Sequence, residues 1–231
     1  MLVSSKAILT NMALIYKKRF EIFFGTLLLV LFESLFISEM IFEEFLLSIF
    51  YILNVCAGML LAKEYPKLLC ILLFLLTASV TSELITPYCI DPKLTPQIQV
   101  ICYLLFYSIV AFLIVTQEWH ATKIDRSVII GLMAGYTSLG MVAFSIFMSI
   151  EYFYPGSIQG ISSEAGISKE GTILYFSFIT LLTVGYGEIL PVTPIAQKAC
   201  ILVGLMGQFY LVILTAIIVG KYLQGNNNVE Q

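Results

Sequence analysis

Six runs of apolar residues, each close to the length that crosses a bilayer, limit what this chain can fold into. They lie near 22–38, 45–62, 68–86, 98–117, 128–150 and 195–222. Roughly 20 apolar residues in a helix cover the hydrocarbon core, and inside that core every backbone N–H and C=O has to be paired within the segment itself. Composition agrees: 12% of the 231 residues are charged and 59% hydrophobic, where a soluble domain carries roughly 25% charged residues. The expected fold class is therefore an all-α integral membrane protein with six transmembrane helices.

The basic residues suggest an orientation. Lys6, Lys17, Lys18 and Arg19 precede the first run, Lys63 and Lys67 separate the second and third, Lys123 and Arg126 the fourth and fifth, and Lys221 follows the sixth. Glu39, Glu43 and Glu44, then Asp91 and Lys93, then Glu151, Glu164, Lys169, Glu170 and Glu188 occupy the other loops. Because Lys and Arg accumulate in short cytoplasmic loops, both termini are expected in the cytoplasm and the protein in the plasma (inner) membrane. Residues 1–20 have apolar positions at helical spacing, Ile8, Met12, Ile15 and Tyr16, ahead of Lys17–Arg19, which fits a helix lying in the interface. Cys56, Cys70, Cys102 and Cys200 fall inside apolar runs and read as small packing residues, while Cys89 lies in a loop.

Between the fifth and sixth runs the pattern changes. "YFYPGSIQGISSEAG" (152–166) reads as an exposed loop. "SKEGTILYFSFITLL" (168–182) then turns apolar for about a dozen residues, enough to enter a membrane and too few to cross it. It is followed by Thr183-Val184-Gly185-Tyr186-Gly187-Glu188. A helix that stops midway hands over to non-helical backbone, which hydrocarbon tolerates only where protein or a watery cavity shields it. Successive backbone carbonyls can replace the water shell of a monovalent cation if the chain alternates in twist. Gly185 and Gly187 adopt φ > 0 at little steric cost, the Thr183 hydroxyl can close one end of the row, and Val184 and Tyr186 can pack behind it.

Thr183–Gly187 resembles the selectivity filter of the potassium channel superfamily. Thr180, the aromatic pair Tyr175–Phe176 and "LPVTP" (190–194) extend the likeness. The resemblance implies a homotetramer around one pore, with K⁺ as the permeant ion bound at Thr183, Val184, Gly185 and Tyr186, and Gly187 completing the filter. It also implies filter support from Tyr175, Thr180 and Glu188. The expected domains are an interfacial segment (1–20), a four-helix sensor-like membrane domain (21–117), a cytoplasmic connector (118–127), a pore domain (128–222) and a short tail (223–231).

The chain departs from the family in several places. Glu188 stands where Asp usually follows the second filter glycine, and Ile179 where some bacterial members carry an acid. The fourth run, "QIQVICYLLFYSIVAFLIVTQ" (97–117), has no Arg or Lys, so a transmembrane voltage has no basic charge to move there and steep voltage gating is not expected. Gly207 stands at the spacing of a gating hinge, with close helix packing by Gly204, Gly207 and Gly220 as the other reading. Glu33, inside the first run, is a proton-sensing candidate or a hydrated headgroup-level acid, and Glu83 reads as the latter. Trp119 and His120 read as interfacial anchors.

The expected function is a potassium-selective channel, with lipids and its own copies as partners, no cofactor, no nucleic acid and no enzymatic activity. The alternatives are a weakly selective cation channel, and a non-conducting membrane receptor or regulatory subunit with a pore-like fold.

Overall fold

The computed structural model describes residues 15–32, 43–85, 94–120, 125–161 and 168–227. Its helices are α1 (Arg19–Phe32), α2 (Glu43–Leu61), α3 (Pro66–Ile85), α4 (Leu94–His120), α5 (Arg126–Phe153), α6 (Lys169–Leu181) and α7 (Pro194–Asn227). Two short strands, β1 (Ile158–Gln159) and β2 (Leu190–Pro191), pair antiparallel with Ile158 opposite Pro191 and Gln159 opposite Leu190.

Local chemistry accounts for the helix starts. Pro66 opens α3, where its missing N–H has no intrahelical partner to lose. The Asp125 carboxylate accepts from Val128 N at 3.0 Å and caps α5. Ser168 Oγ accepts from Gly171 N at 3.0 Å and caps α6. Both caps take up a donor that the first helical turn leaves unpaired.

Three helices are long and apolar enough to cross a membrane among the described residues: Thr95–His120, Arg126–Phe153 and Pro194–Ile217. Ile49–Leu61 and Pro66–Ser82 are shorter apolar helices, and α1 is described over 14 residues. The first expected run extends past Phe32 into residues outside the description, as do most of segment 1–20 and Glu33.

α5 is the central element, with α4, α1, α6 and α7 packed on it, while α2 and α3 pack on α1 and α4. α1 and α4 thus lean on α5, and α2 and α3 pack on those two. Phe23, Leu27, Leu61, Leu72, Leu113, Ile114, Met141, Phe147, Met148 and Ile173 are fully buried between them. Glycines on α5 allow the close approach: a Cβ at Gly140 would meet the Phe178 ring, and one at Gly135 the Tyr210 hydroxyl.

A polar network sits inside the front helices. Tyr107 Oη donates to Asn54 Oδ1 at 2.9 Å, and Asn54 Nδ2 donates to Thr26 Oγ1 at 3.0 Å. α1, α2 and α4 are joined by these bonds across a layer of otherwise apolar side chains.

The connector is narrower than 118–127 suggests. Glu118, Trp119 and His120 belong to the last turn of α4, and Asp125 already caps α5. Glu118 is 1% exposed, with its carboxylate against Gly131 of α5 and close to Phe20 of α1. A stretch that reads as polar surface therefore includes a buried helix-helix contact, Glu118 against α5.

Candidate functional site

The site begins with α6, whose 13 residues rise about 20 Å, short of a full crossing. Ile173, Phe176, Ser177, Ile179 and Leu181 face inward, and Phe176 packs on Phe147 of α5 with ring centroids 4.8 Å apart. The C-terminal end is fixed by two other helices. The Leu181 carbonyl accepts from Tyr136 Oη of α5 at 3.4 Å, and a Cβ at Gly207 of α7 would lie 2.6 Å from the same oxygen.

The backbone then reverses. Leu182 N donates to Phe178 O at 2.8 Å and Thr183 N to Thr180 O at 3.1 Å. Val184 N and Gly185 N both donate to the Ile179 carbonyl, at 2.9 and 3.3 Å. Thr183, Gly185 and Gly187 have φ of +58°, +53° and +93°, so positive φ recurs at every second residue. The two glycines adopt it freely, whereas Thr183, β-branched, does so against its own steric preference. Strain of this kind persists only where the surroundings hold it, here the hydrogen bonds to Thr180 and Ile179.

A cavity of about 300 Å³ borders this segment, lined by Thr180 and other residues of α6, by Thr183, Gly185 and Gly187, and by β2 and Cys200. Val184 and Tyr186 are exposed in the single chain, Tyr186 at 74%. Tyr175 and Glu188 lie near one another.

Tyr175 and Thr180 lie in α6, and Thr183, Val184, Gly185, Tyr186, Gly187 and Glu188 in the non-helical segment that follows it. Gly207 adjoins them through Leu181, within the uninterrupted helix α7. The space beside it is closed by that backbone oxygen, so a side chain larger than hydrogen does not fit there. His120 lies far off in sequence at the end of α4, its Nδ1 2.7 Å from Thr116 O.

Sequence reasoning passed over Glu151. This acid, 7% exposed at the end of α5, binds the loop that follows it. Gly156 N donates to Oε1 at 2.9 Å, and Ser157 N and Ile158 N donate to Oε2 at 3.1 and 3.2 Å. Lys169 Nζ stands 3.6 Å from Oε1. The only hint in the sequence is an acid ending an apolar run ahead of Pro155-Gly156-Ser157, a turn whose amides need acceptors.

Residues 136–224 match a family model described as "Ion channel". The match takes in most of α5, the loop, α6, the 183–187 segment and nearly all of α7. It bears out the resemblance to the potassium channel superfamily at the level of an ion-channel domain in a membrane protein. No curated protein and no solved structure matches the chain.

Proposed function

On the premise that residues 136–224 form an ion-channel domain, we propose that four copies of this chain surround a K⁺-selective pore. The observation that carries the reading is the alternation of φ at Thr183, Gly185 and Gly187. With the amides of Val184 and Gly185 tied back to Ile179, successive carbonyls can be presented on one side of the segment. A row of such oxygens substitutes for the hydration shell of K⁺, with the Thr183 hydroxyl at its inner end. The C-terminal, partly negative end of α6 leads directly into that row and favours a cation.

A single chain leaves this segment too open for a membrane. The apolar window of α7 is 17% buried against 61% for α5, and Ile201, Leu205, Phe209 and Val212 are exposed along it. Self-association shields α7, Val184 and Tyr186 at once, and a fourfold arrangement places four filter segments around one axis. Both termini then lie in the cytoplasm, and loop 154–161 and the Glu188 end of the filter face outward.

Conduction is passive: the protein supplies oxygens and a path, and K⁺ moves down its gradient without a cofactor. α4 carries no Lys or Arg, so the front helices act as a packed support for α5 rather than as a voltage-driven element.

The test is K⁺ against Na⁺ flux through purified protein in liposomes, wild type beside Gly185→Ala. K⁺-selective flux lost in the variant supports the proposal. Equal K⁺ and Na⁺ flux in the wild type points to a weakly selective pore, and absence of flux in both ions to a non-conducting membrane subunit.

A further inference from the structure

Two glycines one turn apart on α5, Gly131 and Gly135, leave a notch in that helix, and other elements of the same chain fill it. The Glu118 carboxylate of α4 stands where a Cβ on Gly131 would be, with the Phe20 ring of α1 3.3 Å from that point. At Gly135 the Ile114 side chain of α4 comes within 3.1 Å of the corresponding point, and the Tyr210 hydroxyl of α7 takes up the same space. Ile114 and Glu118 are four residues apart, as Gly135 and Gly131 are, so one face of α4 meets one face of α5 in antiparallel register. Tyr210 Oη also donates to the Leu132 carbonyl at 2.8 Å, which closes the notch from the side of α7.

The front helices reach the notch as one body. Arg19 Nε donates to Gln117 Oε1 at 2.9 Å, and Gln117 Nε2 to the Leu61 carbonyl at 2.8 Å, which ties α1, α2 and α4 together one residue ahead of Glu118. Little apolar surface is left on α5: among its described residues, the large hydrophobic side chains that stay exposed are Ile129, Met133 and Phe153. α7 is the reverse case, since Ile201, Leu205, Phe209 and Val212 recur at helical spacing and are all exposed.

We propose that in the assembly each copy keeps its front helices on its own α5, seated at Gly131 and Gly135, and that neighbouring copies meet through α7 and the filter segment alone. The inference rests on the four-copy reading and adds which surfaces the copies share. A chain with two packed parts can also assemble by exchanging one part with a neighbour. Exchange would give α5 the same contacts with no gain, whereas the chain already makes them with itself at the high effective concentration of a tether. Four front units then stand at the rim, each bound to the pore segment of its own chain.

The test reads which chain fills the notch. In the full-length protein, with the five native cysteines changed to alanine, Glu118→Cys is paired with Gly131→Cys, the first change vacating the space that the second enters. Oxidation with copper phenanthroline should close a disulfide within one chain. Both thiols should be lost to maleimide, and the product should run as a single copy on a denaturing gel without reductant, while the undenatured protein has the mass of four. A ladder of linked chains at that same undenatured mass would overturn the proposal and leave the four-copy reading standing. An undenatured mass of one copy would sink that reading and the proposal with it.

A second pair avoids the tight site and serves where the glycine variant does not fold. Lys18 and Arg126 are exposed on the wall of one cavity of about 860 Å³ shared by α1, α4 and α5. Lys18→Cys with Arg126→Cys, joined by a flexible bismaleimide, should likewise link within one chain. A ladder from this pair, or no link from either pair in the folded protein, would overturn the proposal.

Discussion

At the scale of single residues, glycines and threonines divide the work in a way that composition does not convey. Gly207 separates two physical effects with opposite signs. Were it a spectator or a flexible point in α7, alanine would stabilise the helix by roughly 1 kcal/mol. Since its Cβ would approach a backbone oxygen of Leu181, a group that cannot rotate away, Gly207→Ala should instead destabilise the protein by about 1–3 kcal/mol. Thermal unfolding of the detergent-purified protein reads the sign directly. Gly185→Ala meets no neighbour within 4 Å, so its effect is conformational: φ +53° in an L-residue costs about 1–2 kcal/mol. Selective flux should fall while the protein still folds. Tyr16, just ahead of α1, donates its hydroxyl to Glu64 at 2.6 Å. Burial, and then the hydrogen bond to Glu64, push its pKa up to about 12. An acid raised in the folded state favours folding fully below its ordinary pKa of 10 and loses that contribution as the pH rises toward 12. Tyr16→Phe should therefore lower the unfolding temperature by the same small amount at every pH from 6 to 9, and by less above 10.

At the scale of elements, α4 shows how a helix without Lys or Arg is held among the front helices. Tyr107 at its centre is fully buried, packed edge-on to Phe106 and hydrogen-bonded to Asn54. Removing that hydroxyl leaves Asn54 Oδ1 without this donor in an apolar layer, a loss of about 1–3 kcal/mol. Tyr107→Phe should lower the unfolding temperature while leaving the K⁺/Na⁺ ratio unchanged, because the network lies in α1, α2 and α4 and not in α6. α6 is the opposite case, a short helix whose position depends on what holds its ends: Ser168 and Lys169 at one, Tyr136 and Gly207 through Leu181 at the other.

At the scale of the whole molecule, α5 is the shared wall between the front helices and the pore segment. The response of that arrangement to a membrane field depends on the charge it can move. Moving one charge through 100 mV supplies about 2.3 kcal/mol, and α4 has no basic charge to move. Current through the reconstituted protein should accordingly vary with voltage only as the driving force does. A steep rise in open probability with voltage would require charge movement elsewhere in the chain. The exposed face of α7 predicts an assembly: the protein in mild detergent should have the mass of four copies, and Phe209→Asp on that face should weaken it.

The sequence by itself determined the membrane character and singled out the segment Thr183–Gly187. Each of these follows from local properties: run length against bilayer thickness, and residue types that permit alternating backbone twist. Four features depended on tertiary structure. Thr183 takes a positive φ because Ile179 and Thr180 hold its neighbours. Gly207 is a packing site because Leu181 is brought beside it. Glu118 is buried because α4 folds back on α5. Glu151 is a buried acceptor because the loop after it turns its amides inward. In each, the deciding partner comes from another element or from backbone direction, and no property of the residue alone encodes which oxygen or which amide it will meet.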